Sequence, residues 1–308
     1  MATTQNISMP HKVPKKIDWA QLTFKLGLLF PAFLMLGVLM YYPIIETFRI
    51  SLTRSTGLGP EVYIGFQNYV KLFSNEEFLL GLLHGFQWAF WSIVIQIPLA
   101  FFIAFACTNY KSRLTGRLRS IYYLANVFPS AVTAMLGTFI YAPNAGVIVK
   151  FAQSIGWKWL ENINFLGDPK IAFGAIFALA TWAYIGFYVI YLMANIDQIP
   201  AELEEAAVID GANKWQYARH IVIPQISFAL GILVILCTVG SIKLFDLPWI
   251  VLQGGPPKHS TVTLGITLYR EGFLNWQYGK AAAIGVIIFL ISLVFTVAQF
   301  SWQRNPND

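Results

Sequence analysis

The chain has 308 residues, of which 56% are hydrophobic and 12% charged, with a formal net charge of +6. A soluble domain carries about a quarter charged residues, so this composition excludes an ordinary water-soluble globule. The surplus Lys and Arg mostly flank apolar runs, which gives no reason to expect a nucleic-acid partner.

The apolar residues fall in runs of about 20, the length at which a helix crosses the hydrocarbon core of a bilayer. The runs lack the alternation of barrel strands, and backbone groups in lipid must bond within their own segment. The expected fold class is therefore an all-α integral membrane protein with six transmembrane helices.

In chain order, residues 1–20 form a polar tail containing Lys12, Lys15 and Lys16. No small-residue cleavage site precedes the apolar run that opens at Leu22, so an uncleaved tail is expected. The first span is read as Leu22–Ile45, and loop 46–84 follows it. In that loop Gly65-Phe66-Gln67-Asn68-Tyr69, with Phe73, has the makings of a small cap. The second span is Gly85–Ala106 and the third Ile121–Ala142, joined by a stretch with Lys111, Arg113, Arg117 and Arg119 and no acid. Loop 143–170 leads to the fourth span, Ile171–Asn195. A polar loop, 196–220, precedes the fifth span, Ile221–Leu252, which has an irregular end. Loop 253–280 and the sixth span, Ala281–Gln299, complete a membrane domain taken as 21–302, with a short tail at 303–308.

Lys and Arg concentrate in cytoplasmic loops. The dense 111–119 cluster therefore orients both termini and loop 196–220 to the cytoplasm, and loops 46–84, 143–170 and 253–280 to the outside. Cys107 and Cys237 lie in apolar runs and offer neither a disulfide framework nor a metal pair. His84, His220 and His259 lie near span ends, and none is assigned to metal or catalysis.

The polar loop has the physical signs of a short helix. Pro200 suits a first helical position, where its missing N–H costs nothing. Glu202, Glu204 and Glu205 fall in the first turns, which favour carboxylates. Gly211 stands where a left-handed residue would end it. Leu203, Ala206, Ala207 and Asp210 share one face by spacing, and small Ala side chains there would let it enter a groove closely. Asn213–His220 would add a further turn before Pro224 opens the next span.

The run Glu205-Ala206-Ala207, three residues, Gly211, then Ile221-Val222-Ile223-Pro224, resembles the signature loop of permease subunits in binding-protein-dependent ABC importers. One position departs from that pattern: Ile223 stands in place of Leu. A second stretch, Phe245-Asp246, Gly254-Gly255-Pro256, Thr261-Val262-Thr263-Leu264, Tyr269, Phe273, Gly279 and Ala281–Ala283, is similar to the end of maltose-type sugar permeases and the related glycerol-phosphate importers. The resemblance implies a type I ABC importer permease fold in a bacterial-type inner membrane. It also implies a second homologous permease, two ATPase subunits and an external solute-binding protein. By the same resemblance, Glu204, Glu205, Ala206, Ala207, Asp210, Gly211 and Pro224 belong to the ATPase-coupling element.

No cofactor is expected on this chain. It has no G-x-x-x-x-G-K-[S/T] loop: Gly279-Lys280 is the nearest imitation, with Leu274 where the first Gly belongs and Ala281 where Ser or Thr belongs. ATP and Mg are expected on the partner ATPase, so the chain is not expected to be an enzyme.

Candidate substrate contacts follow from polar and aromatic residues in the spans. A charge near a helix centre costs about 2.5–3.5 kcal/mol on insertion scales. Lys243 and Asp246, three residues apart, have two readings: a polar lining of the path, or an ion pair near the outer end. An unpaired Lys243 facing the path would suit an acidic sugar. By the resemblance, Cys237, Gly240, Ser241 and Leu244 lie where maltose-type permeases line the sugar site, although the family's sugar-contacting asparagines are not reproduced. Trp182, Tyr184 and Tyr188 either stack on sugar rings or pack between helices, and Gln96 and Asn126 are equally open. Uptake of glycerol-phosphate or another polar solute is the alternative within the importer class, and a secondary carrier driven by an ion gradient is the rival class. It would call for paired intramembrane acids or matching broken helices, whereas Asp246 is the one acid deep in a long apolar run.

Overall fold

The computed structural model describes residues 19–57, 59–109, 126–252 and 260–303, with side chains described from residue 23 to residue 301. By its contacts the chain divides into two units, 1–47 and 48–308. The first contains α1 (Trp19–Leu36), a π-helical turn at Gly37–Tyr41, and the start of α2 (Tyr42–Ser51).

The second unit begins within α2 and contains all remaining elements. A two-stranded antiparallel ribbon, β1 (Thr53–Arg54) and β2 (Val62–Tyr63), leads to α3 (Gln67–Phe73). Then come α4 (Glu76–Trp91), a π turn at Ser92–Gln96 and α5 (Ile97–Asn109). After the undescribed stretch come α6 (Ser130–Ile140), α7 (Val147–Ile155) and the long α8 (Ala172–Ile196). The polar loop carries α9 (Ala201–Ile209) and α10 (Lys214–Tyr217), followed by a π turn at Ala218–Val222. The chain ends with α11 (Ser227–Ile242), α12 (Asp246–Leu252), α13 (Leu264–Tyr269), a π turn at Arg270–Leu274 and α14 (Tyr278–Gln303).

Among the described residues, five helices are long and apolar enough to cross a membrane: Thr23–Ser51, Glu76–Asn109, Ala172–Ile196, Ser227–Leu252 and Tyr278–Ser301. The remaining expected span, Ile121–Ala142, is not one continuous helix. Asn126 and Val127 are helical, the chain bends at Phe128, and α6 restarts after Pro129. The physical reason is Pro129: it has no N–H to donate, and it disfavours helical geometry in the residue before it. Residues 121–125 and the basic cluster at 111–119 lie outside the described residues.

Three of the π turns have one cause. Each closes on the residue just before a proline: Tyr42 N–H bonds Gly37 O before Pro43, Ile97 N–H bonds Ser92 O before Pro98, and Ile223 N–H bonds Ala218 O before Pro224. A proline ring clashes with the carbonyl four residues back. Widening the helix by one residue removes that clash without ending the helix.

The fifth span breaks for a related reason. Pro248 has no N–H to give the Leu244 carbonyl, so α11 stops at Ile242 and α12 starts at Asp246, with Pro248 in its first turn. The Leu244 carbonyl left over accepts instead from Thr263 Oγ1 at 2.5 Å.

Packing rests on three apolar clusters. One joins α5, α8, the polar loop and α11 through Phe101, Val189, Leu192, Val222 and Leu233. The second brings Trp88, Ala134, Ile176, Leu179 and Leu247 together. The third holds Leu72, Phe78, Ile242, Leu264 and Ile284. Between helices in lipid, close van der Waals contact replaces the hydrophobic drive, so small residues matter. At Gly137 an added Cβ would lie 2.2 Å from Leu179 Cδ2, so a larger residue there requires the Leu179 side chain to shift.

The expected cap forms around α3. Buried Asn68 donates to the carbonyls of Ser51 and Thr53 at 2.8 and 2.9 Å, and Tyr69 Oη donates to Ser51 Oγ at 2.8 Å. This ties the end of α2 and the ribbon to α3.

Candidate functional sites: a coupling element and a central cavity

In the polar loop, Pro200 is the residue capping α9 rather than its first helical residue, with φ −56° and ψ 133°. Gly211 has φ +75°, the left-handed conformation that ends the helix. The face grouped from spacing is divided. Ala207 is buried against the protein's own helices, in the cluster with Phe101 and Tyr217, while Ala206 and Asp210 are exposed. Glu204 is half-buried and Glu205 exposed. Apolar Val208, Ile209 and Trp215 project into solvent, Ile209 at 85% exposure. Pro224 follows the π turn, one turn before α11.

A polar link holds α9 to the rest of the chain. Lys214 Nζ lies 2.9 Å from Glu204 Oε1 and 3.2 Å from Asn109 Oδ1, the last residue of α5. A reciprocal capping box sets the start of α10: Gln216 N–H donates to Asn213 Oδ1 at 2.9 Å, and Asn213 N–H to Gln216 Oε1 at 2.8 Å. Trp215 stacks on Phe102, with centroids 6.1 Å apart. Burial, and then the Glu204 carboxylate, push the Tyr217 phenol above its ordinary pKa.

The second site is a cavity of about 300 Å³ in the helical unit. Eight of the nine candidate path residues line it: Tyr184 and Tyr188 from α8, Cys237, Gly240 and Ser241 from α11, and Lys243, Leu244 and Asp246 from the break. Trp182 does not; it is half-exposed elsewhere on α8. The cavity also takes in Trp88, Ser92 and Gln96, which occupy successive turns of one helix face. Their signal in the sequence is a polar pair at i, i+4 within an apolar run. The amide of Gln96 is held by the Thr181 hydroxyl at 2.8 Å, which itself donates to Phe177 O at 2.8 Å.

Of the two arrangements open for Lys243, the ion pair does not form: among the described residues Lys243 and Asp246 make no salt bridge, and Asp246 accepts from Ser130 Oγ at 3.0 Å. The chain break is the reason. Lys243 caps α11 and Asp246 opens α12, so a spacing of three no longer brings the two side chains to one face. No grouping of three or more His, Cys, Asp or Glu that would hold a metal occurs among the described residues.

Long apolar helices, a cavity of mixed aromatic and polar lining between them and a short polar-loop helix with an exposed apolar tip define a membrane transport subunit. Residues 96–304 match the family described as binding-protein-dependent transport system inner membrane component, and the chain belongs to that family. It is 31% identical to a probable ABC transporter permease protein of Pyrococcus horikoshii, over 91% of this chain and 95% of that one. It is 27% identical to the trehalose/maltose transport system permease protein MalF of Thermococcus litoralis, over 97% of this chain and 100% of that one. A crystal structure of a bacterial ABC transporter involved in the import of the acidic polysaccharide alginate contains a chain of the same fold. Its TM-score is 0.83 at 22% identity, covering 94% of this chain and 98% of that one. The architecture is that of type I importer permeases.

Proposed function

We propose that this chain forms half of the translocation pathway of an ATP-driven saccharide importer, with the central cavity as its solute site. The observation that carries the reading is the make-up of that cavity. It combines aromatic faces (Trp88, Tyr184, Tyr188) with amide and hydroxyl groups (Gln96, Ser92, Ser241). Aromatic faces stack on the C–H faces of sugar rings, while the polar groups exchange hydrogen bonds with ring hydroxyls. The trehalose/maltose system named for one relative supports the same substrate class.

ATP hydrolysis takes place on separate ATPase subunits, which bind ATP and Mg. The α9 segment seats in a groove of one ATPase, led by Val208 and Ile209, with Glu205 and Asp210 at its edge. Closure of the ATPases pushes α9, and the link through Lys214 to Asn109 carries that push to α5 and the cavity wall at Gln96. A second homologous permease completes the pathway, two ATPases drive it, and an external solute-binding protein delivers the saccharide. Both termini face the cytoplasm.

A second reading, favoured by the lack of a Lys243–Asp246 pair, is a uronate-bearing saccharide whose carboxylate meets Lys243. The deciding experiment is uptake of labelled oligosaccharides into vesicles containing the assembled importer and its binding protein. Uptake should require ATP and persist when ion gradients are collapsed. Gradient-driven uptake without ATP would assign the chain to secondary carriers. Cysteine labelling at exposed Ser74, after replacing Cys107 and Cys237, should succeed from outside intact cells; labelling only after permeabilisation would reverse the orientation.

A further inference from the structure

A second cavity, of about 320 Å³, lies between the ribbon, α3 and the start of α14, away from the central one. Three cations line it: Arg54, Lys71 and Lys280. Asn275 and Gln277 add amide groups. Lys280 Nζ lies 3.8 Å from a carboxylate oxygen of nearly buried Glu271, which offsets one of the three charges. Neither Arg54 nor Lys71 has an ion-pair partner among the described residues, and both are exposed. The positive end of a 26-residue helix, α14, opens onto the same space. The walls are held rigidly. Gly279 sits so close to the ribbon that an added Cβ would lie 2.0 Å from Thr53 O, and Asn68 clamps the same carbonyl.

We propose that this cavity is a docking socket for an acidic side chain of the external solute-binding protein. The inference rests on the importer reading above, which turns loops 46–84 and 253–280 to the outside. The chemistry selects a carboxylate, because two cations lack ion-pair partners among the described residues and the positive end of a helix dipole favours an anion. It selects a protein side chain over a saccharide because, among the described residues, no aromatic ring lines the socket, in contrast to the central cavity. It selects protein over lipid because, among the described residues, Ile64 is the one large aliphatic side chain on its walls. Charges at the rim of an interface act mainly on encounter rate and salt dependence.

The test uses the complete importer in nanodiscs with its own binding protein, comparing wild type, the neutral variant Arg54→Gln/Lys71→Gln and the reversed variant Arg54→Glu/Lys71→Glu. The quantity read is the binding-protein concentration giving half-maximal stimulation of ATP hydrolysis. It should rise about tenfold in the neutral variant and further in the reversed one, with unchanged maximal stimulation and basal hydrolysis. The wild-type value should rise with salt, and the neutral variant should lose most of that dependence. Unchanged half-maximal concentration and salt slope in the neutral variant would overturn the socket. So would an effect seen only with anionic lipid in the disc, or one on the saccharide requirement at saturating binding protein. Failure of the importer reading looks different: the wild type itself would not respond to the binding protein.

Discussion

Thr263 Oγ1 donates a hydrogen bond to the carbonyl of Leu244 at 2.5 Å, across 19 residues of sequence. That carbonyl is the acceptor left without a helical donor by Pro248. The bond fixes the break between α11 and α12, on which Lys243, Leu244 and Asp246 reach the cavity.

Replacing Thr263 by Val should therefore leave a part-buried carbonyl unsatisfied and cost about 1 kcal/mol. The purified importer should unfold at lower temperature and transport more slowly, while Thr263→Ser, which keeps the hydroxyl, should stay close to wild type. Equal behaviour of the Val and Ser variants in both assays would show that the bond does not hold the break.

Gly211 has φ +75° but nothing within 4 Å of where a Cβ would lie. A substitution there meets conformational strain rather than a clash, about 1–2 kcal/mol for a residue with a bulky side chain. Gly211→Val should distort the end of α9 and reduce solute-stimulated ATP hydrolysis and uptake several-fold. Gly211→Asn, which tolerates the left-handed region, should retain most of both. Wild-type coupling in the Val variant would remove the helix end from the coupling element.

Lys243→Ala should express normally, because Asp246 is satisfied by Ser130 and loses no ion-pair partner. Uptake of uronate oligosaccharides should fall while uptake of neutral ones persists. Poor expression, rescued by also replacing Asp246, would restore the ion pair; unchanged uptake of every solute would leave Lys243 with no role in recognition.

What the sequence determined by itself was the class and its periodicity. Runs of about 20 apolar residues in lipid have one backbone solution, the helix, and the spacing from Glu205 to Pro224 carried the family through to the match over residues 96–304. Cys237, Gly240, Ser241 and Leu244 became candidates through the resemblance to maltose-type permeases, Lys243 and Asp246 because charges stand out in an apolar run, and those on α8 because aromatics stand out in an aliphatic span. Tertiary structure decided the rest. Trp88, Ser92 and Gln96 come from a distant helix, so only packing brings them to the cavity. Ala207 turned inward because its neighbours across the chain are Phe101 and Tyr217, which helical spacing alone does not reveal. Lys243 and Asp246 separated because a proline two residues beyond Asp246 breaks the helix, and a spacing rule holds only while the helix that defines it continues.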